Sequence, residues 1–172
     1  ITMLEEFFNT RVGSKLTSLI GFIFPFCQAN AFFGQQVLCT TDNAAVNIFF
    51  KTHLVGPLMG FYFDTWNYLA VFAFEILLFD ICVRKRLPLT LFSRYNIIQS
   101  ILLEIICTFL AQAYAQTTYL FRTSTFGELY CNGAYFGIMA AILYCSIMIL
   151  YGRYPRIPVI SEGARLNIQR WR

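Results

Sequence analysis

The sequence predicts an all-α, polytopic membrane protein with four transmembrane helices and a short amphipathic helix lying on the membrane surface between spans one and two. Of its 172 residues, 58% are hydrophobic and only 13% charged, whereas soluble globular chains carry about 25% charged residues. Residues Leu16–Thr41 and Cys131–Gly152 contain no charge at all. This composition excludes a water-soluble domain and assigns residues 1–172 to a single transmembrane domain.

Four apolar windows are long enough to cross about 30 Å of hydrocarbon, which takes roughly 20 residues. They cover residues 16–33, 66–83, 96–115 and 129–150. We expect Pro25 to kink the first span.

The segment between the first two spans is too polar to cross the membrane. Asp42 is expected to cap a helix from Asn43 to Leu54, which Gly56 and Pro57 would end. The apolar residues of this helix fall on one side: Val46, Phe49, Phe50 and Leu54. That pattern predicts a helix lying along the membrane surface.

Basic residues give the orientation of the spans. Four spans place both tails and the loop between spans two and three on one side of the membrane. All 13 Lys and Arg residues except Lys51 and Arg122 fall on that side. Such an excess marks the side on which positively charged loops are retained. Both termini are therefore expected on the matrix or stromal side of an organelle inner membrane.

The third predicted span has a small or polar face that includes Asn96, Ser100, Glu104 and Thr108. Because the loop to the second span is short, Glu75 is expected to meet Glu104 near mid-membrane. Each charged carboxylate there would cost about 3 kcal/mol, so neither should face lipid. Two interpretations stay open: a hydrated groove or pore, or a hydrogen-bonded carboxyl pair that locks the hairpin.

The fourth predicted span carries small residues at a spacing of four: Gly133, Gly137, Ala141 and Cys145. Small residues let helix backbones approach closely in lipid. The ridge is interpreted either as internal packing or as a docking face for a partner subunit.

No pattern in the sequence indicates catalysis, a cofactor or a metal. The only histidine, His53, excludes bis-histidine haem ligation within this chain, and phosphate-binding loops, nucleophile elbows and zinc spacings are missing. The prediction is a protein that is not an enzyme. Cys39 and Cys131 lie on the less basic side, where a disulfide between them is considered if that compartment is oxidising.

The C-terminal tail is basic and contains two prolines. Pro155 and Pro158 should hold an extended segment after the fourth span, and Ser161 should cap a short helix with Glu162 near its start. Because the tail directly follows a span, we expect it to contact lipid headgroups or a partner protein rather than nucleic acid.

Two blocks of the sequence resemble the Tic-twenty family, the four-span subunits of the translocon at the chloroplast inner envelope membrane. The block SRYNIIQSILLEI, at the start of the third span, carries the matching residues Arg94, Tyr95, Asn96, Gln99, Ser100 and Glu104. The block GRYPRIPVISEGA, after the fourth span, carries Gly152, Ile157, Pro158, Ser161 and Glu162. The first half departs from the pattern, with Gln28 in place of an acidic residue and Glu75 and Asp80 as additional acids.

The resemblance implies a protein of the chloroplast inner envelope membrane with both termini in the stroma. Its implied partners are other inner-envelope translocon subunits, including multi-span ones, the outer-envelope translocon, unfolded preproteins in transit and membrane lipids. A cleaved transit peptide would account for a chain that begins at Ile1 instead of Met, and so would a fragment of a longer protein.

A four-helix bundle has a core filled with side chains. One copy is therefore expected to form only part of a preprotein path, completed by another subunit. The predicted groove residues are Glu75, Asn96, Gln99, Ser100, Glu104 and Thr108. The alternative is a scaffold subunit that anchors a large membrane complex and touches no preprotein. A solute transporter is disfavoured because the sequence has no internal repeat.

Overall fold

The structure, a computed structural model, describes residue 8, residues 10–40 and residues 43–169. All regular elements within these residues are helical. Four segments are long and apolar enough to cross a membrane: Arg11–Leu38, Thr65–Val83, Leu91–Ala115 and Thr125–Leu150. The predicted all-α fold with four membrane-length helices is therefore confirmed.

Span one consists of two helices, α1 (Arg11–Gly21) and α2 (Ile23–Leu38), that meet at Phe22. Pro25 is the third residue of α2. Its ring provides no N–H for the carbonyl group of Gly21 and would clash with that carbonyl in a continuous helix. The irregularity expected at Pro25 therefore appears as a break one turn earlier.

Between spans one and two lie α3 (Ala44–Phe50), a π-helical turn (Lys51–Val55) and α4 (Gly56–Tyr62). Asn43 caps α3, because its Oδ1 accepts a hydrogen bond from the N–H of Ala45 at 3.0 Å. Asp42, the predicted cap, lies outside the described residues.

The prediction that Gly56 and Pro57 end this helix is wrong. The backbone N–H of Gly56 donates to the carbonyl of Lys51, and the wider π-turn lets the chain enter α4 with Pro57 in its first turn. A Cβ atom on residue 56 would lie only 2.4 Å from the oxygen of Lys51, so the turn requires glycine. Contact of this segment with the membrane surface stays a prediction.

The remaining helices are α5 (Thr65–Val83, span two), α6 (Leu91–Ala115, span three), α7 (Tyr119–Arg122), α8 (Thr125–Leu150, span four) and α9 (Ile160–Gln169). Helices α5 to α8 each begin after a residue whose side chain accepts a hydrogen bond from an N–H of the first turn. These capping residues are Asp64, Thr90, Thr118 and Ser124.

Span two is covered by the rest of the chain much less than spans one and three are. In the apolar windows of spans one and three, 50% and 44% of the residues are buried, against 17% in span two. Span one packs against spans three and four, and α9 packs across span three. Span two packs mainly along span three, which leaves most of its surface uncovered.

Span four ends in a glycine-dependent turn. Gly152 has a φ of +71°, and the N–H groups of Gly152 and Arg153 donate to the carbonyls of Ile149 and Met148. The extended segment predicted around the prolines follows, and Val159, with φ +67°, leads into α9. Ser161 is not the N-terminal cap that the sequence predicted, because α9 already begins at Ile160. The hydroxyl oxygen of Ser161 instead accepts a hydrogen bond from the N–H of Ile157 at 2.6 Å.

Candidate functional site

Spans two and three form an antiparallel hairpin whose two ends differ. We call the end near the loop Arg84–Thr90 the basic end, and the end where span two begins and span three finishes the far end. The two ends are described in turn because their polar side chains have different partners.

At the basic end, the side chain of Arg94 on span three caps span two. It is only 4% exposed. Its Nε and Nη2 donate to the backbone carbonyls of Cys82 and Val83 at 2.5 and 3.1 Å. A cation at the end of a helix also interacts favourably with the helix dipole. Arg94 therefore fixes the end of span two to the start of span three.

An exposed ion pair lies next to this cap. The carboxylate of Asp80 contacts Arg84 at 2.6 Å and Arg86 at 3.2 Å. The pairing of Asp80 with Arg84 predicted from their spacing is confirmed.

The two sequence blocks meet at this same end. The amide of Gln99 donates to the hydroxyl of Ser161 at 2.6 Å, and the hydroxyl of Tyr95 donates to the carbonyl of Pro155 at 3.1 Å. Glu162, Pro158 and Gly152 are exposed, and Ile157 is half-buried. Tyr95 and Gln99 thus hold the C-terminal tail against span three.

The polar face of span three packs inside the chain. Asn96, Ser100 and Glu104 are all buried, and the amide of Asn96 donates to the hydroxyl of Ser18 on span one at 3.3 Å. Spans one and three approach so closely that a Cβ on Gly21 would lie 2.9 Å from the Oγ of Ser100. These predicted groove residues therefore pack against span one.

Two carboxyl groups meet halfway along the hairpin, as their positions in the sequence predicted. Glu75 and Glu104 are 7% and 1% exposed and interact electrostatically. Their carboxyl groups share a side-chain hydrogen bond, and neither oxygen of Glu104 has any other partner among the described residues. A carboxyl pair bonded only to itself in the middle of a membrane segment fits both interpretations made from the sequence, the locked hairpin and the hydrated groove.

A cleft of about 260 Å³ lies between spans one, two and three, from the level of Glu75 towards the far end. Its polar lining consists of Gln28, Tyr68, Glu75, Thr108 and Gln112. Gln28 is 3% exposed and donates to the hydroxyl of Thr108 at 2.7 Å, while its Oε1 has no partner. The accessible surface of the cleft is mostly apolar, and the Oε1 of Gln28, an acceptor unpaired among the described residues, is buried behind it.

Of the six groove residues predicted from the sequence, Glu75 and Thr108 line this cleft. Gln28, Tyr68 and Gln112 were missed. Gln112 follows Thr108 by one helical turn, and Gln28 is a large polar residue within an uncharged span. Both residues could therefore have been predicted from the sequence as part of the cleft.

Comparison with known proteins identifies the family. The sequence profile described as "Chloroplast import apparatus Tic20-like" matches residues 15–164. The chain belongs to the Tic20-like family. It is similar to the Tic20 family protein Ycf60 of Gracilaria tenuistipitata var. liui, with 34% identity over 159 residues, which cover 91% of this chain and 76% of the relative.

Two further relatives carry the same name. The Tic20 family protein Ycf60 of Porphyra purpurea is 31% identical over 162 residues, and that of Pyropia yezoensis 29% identical over 162 residues; each alignment covers 93% of this chain and 78% of the relative. The resemblance inferred from the two sequence blocks is confirmed, and the matched region contains the complete hairpin.

In this Tic20-like chain, the small-residue ridge of span four is divided. A Cβ built on Gly133 or Gly137 would meet no atom within 4 Å. Cys145 is fully buried, and Ala141 is half-buried. Internal packing therefore accounts for the end of the ridge at Cys145, and a docking face at Gly133 and Gly137 stays a prediction.

The disulfide considered between Cys39 and Cys131 is not formed, since both are free thiols. Cys131 is buried, and its thiol contacts the side-chain oxygen of Gln36. The thiol of Cys131 therefore faces Gln36 on span one rather than Cys39.

Proposed function

We propose that this Tic20-like protein is a multi-pass subunit of the import translocon in the plastid inner envelope, and that its cleft forms one wall of the path for unfolded preproteins. The observation that carries this proposal is the cleft itself, in which Gln28, Glu75 and Thr108 bring polar groups to the interior of the membrane-spanning region. The family supports membership in an import apparatus.

The chemistry of the cleft suits a passing polypeptide. An extended chain carries backbone N–H and C=O groups that are costly to leave unpaired in hydrocarbon. The side-chain amide of Gln112 is exposed on the cleft and can both accept from and donate to backbone groups, whereas the Oε1 of Gln28 is buried behind the surface. Phe72 and Phe109 on the same cleft offer apolar surface to side chains.

The cleft is one wall and not a complete channel. An extended chain crossing about 30 Å of hydrocarbon occupies roughly nine residues at about 3.3 Å each. A cleft of about 260 Å³ is much too small for that length of polypeptide. Because most of span two is uncovered, a second membrane subunit has access to complete the path there.

The charge asymmetry supports an orientation with the basic side and both termini in the stroma. The far end of the hairpin, where Tyr68 and Gln112 lie, then faces the compartment from which preproteins arrive. The partners that follow are other inner-envelope translocon subunits, the outer-envelope translocon, preproteins and membrane lipids, with no role for nucleic acid.

Site-specific crosslinking to an arrested preprotein tests this proposal. A photoreactive residue is placed at Val71, which lines the cleft, and in a matched variant at Leu69, which is exposed on another face of the same helix. We expect preprotein adducts from position 71 and only lipid or subunit adducts from position 69. An absence of preprotein adducts from position 71 would reject the path.

A scaffold subunit that touches no preprotein is the second candidate. The burial of Asn96, Ser100 and Glu104 inside the chain favours it, because these polar residues then serve the packing of span three. A scaffold predicts that position 71 crosslinks to a neighbouring subunit whether or not a preprotein is arrested, so the same experiment separates the two functions.

A further inference from the structure

A second concave surface lies at the basic end, separate from the cleft. It is a groove of about 830 Å³ between the start of span three, the extended tail and α9. We call it the tail groove and define it by Leu91, Tyr95, Tyr154, Arg156, Val159 and Arg165. Its volume is in the range of small-ligand pockets.

The walls of the tail groove are fixed by internal contacts. Tyr95 donates to the carbonyl of Pro155 at 3.1 Å, and its ring contacts that of Tyr154 edge-on, with 5.2 Å between the centroids. Ser161 accepts from Gln99 and from the N–H of Ile157, both at 2.6 Å. The groove is therefore formed before any ligand binds.

Its charge is suited to an anion. Arg156 and Arg165 are exposed, and neither forms an ion pair within the part of the chain that the structure describes. Glu162 is the acidic residue on the lining, so the groove has an excess of positive charge. The planar guanidinium group binds phosphate and similar oxyanions through two parallel hydrogen bonds.

Its location is suited to a lipid. The groove lies beyond the end of span four at Leu150 and beside the start of span three at Leu91, at the predicted boundary between membrane and water. Leu91 and Val159 on its lining are exposed apolar side chains. Tyrosines such as Tyr95 and Tyr154 are typical of this boundary.

We propose that the tail groove binds an anionic glycerolipid of the adjacent leaflet. Arg156 and Arg165 hold its phosphate or sulfonate, and Leu91 and Val159 contact the upper part of an acyl chain. The lipid thereby fixes the tail and α9 at the membrane surface. This proposal does not depend on the preprotein path.

Binding of phosphatidylglycerol to the purified full chain in detergent, measured by native mass spectrometry, tests the proposal. The variant Arg156→Gln/Arg165→Gln is compared with the charge-matched control Lys51→Gln/Arg122→Gln on the opposite side. We expect the affinity for phosphatidylglycerol to fall about thirtyfold in the first variant, because it removes two basic residues near an anionic headgroup. The affinity of the control variant should be unchanged. Because Arg156 and Arg165 are exposed, thermal unfolding without lipid should be the same for both variants.

Three results would overturn the proposal. Equal affinity for phosphatidylcholine, or equal losses in both variants, would show that no specific site exists. Competition by inorganic phosphate at the same concentration as the lipid would assign the groove to a free anion. Crosslinks from position 156 to another polypeptide in the purified translocon, with no lipid retained, would assign it to a protein partner.

Discussion

The two ends of the hairpin formed by spans two and three differ in how completely the chain encloses their polar side chains. At the basic end, Arg94 and Gln99 are buried and donate to specific partners, the carbonyls of Cys82 and Val83 and the hydroxyl of Ser161. Acceptor atoms without a hydrogen-bond partner among the described residues occur at both ends, in Asn96 and Gln99 as well as in Gln28 and Glu104. From Glu75 to the far end, however, polar side chains line an open cleft.

This difference in access separates the polar residues that hold helices together from those that a second molecule can reach. In lipid, a hydrogen bond within the chain holds helices together, whereas a polar side chain beside an open cleft can pair with a second molecule. The basic end therefore fixes the hairpin, and the cleft near the far end is the part left available to a passenger or a partner.

The largest effect is expected for Arg94→Ala. The substitution leaves two carbonyls at the end of span two without their donor, and charge-assisted hydrogen bonds contribute about 1.5–3 kcal/mol each. We expect the free energy of unfolding in detergent to fall by about 3 kcal/mol or more. The control Arg86→Ala, which removes an exposed ion pair with Asp80, should cost less than about 1 kcal/mol. Similar losses in both variants would mean that the basic end is not fixed by Arg94.

Gly21→Ala tests the close approach of span one to span three. The new Cβ would lie 2.9 Å from the Oγ of Ser100, so we expect a loss of about 1–2 kcal/mol in the free energy of unfolding. Ser100→Ala in the same chain should relieve the clash and restore most of the loss. Gly137→Ala, which meets no atom within 4 Å, should be neutral or stabilise by up to about 1 kcal/mol. Equal effects at positions 21 and 137 would contradict the close packing at Ser100.

Gln99→Leu and Gln112→Leu compare one residue type at the two ends of span three. The first substitution removes the hydrogen bond to Ser161, which is expected to contribute about 1 kcal/mol. Amide hydrogen exchange in α9 should therefore become severalfold faster. The second substitution should leave exchange in α9 unchanged, and an equal response to both would show that Gln99 does not hold the tail.

The smallest effect is expected for Glu104→Gln. The side-chain hydrogen-bond partner of Glu104 is Glu75, and the isosteric amide can still donate an N–H to that carboxyl group. The free energy of unfolding should stay within about 1 kcal/mol of the parent value. A loss of 3 kcal/mol or more would instead indicate a carboxyl pair that locks the hairpin.

The sequence predicted those features that depend on composition and spacing. Apolar windows of about 20 residues predicted the membrane-length helices, and the spacing of Glu75 and Glu104 predicted their meeting. It did not predict the partners of Arg94, because backbone carbonyls at a helix end have no residue-specific signal. The π-turn before Gly56 was missed because Gly-Pro usually ends a helix and only the three-dimensional path shows the alternative.

The cleft was predicted only in part for a related reason. Helical periodicity placed Ser100 and Glu104 on one polar face, but periodicity does not show which neighbouring helix covers that face. Span one covers it, and this moves the open polar surface to Gln28, Thr108 and Gln112.

Crosslinking yield to an arrested preprotein, measured along the face of span two that carries Tyr68, Val71, Glu75, Leu78 and Cys82, tests the central claim most directly. The cleft extends from Glu75 towards Tyr68, while Cys82 is fully buried at the end held by Arg94. We predict high yields at positions 68 and 71 that fall to background by position 82. A uniform yield along the face, or a maximum at position 82, would contradict a hairpin that is fixed at the basic end and open to the passenger at the far end.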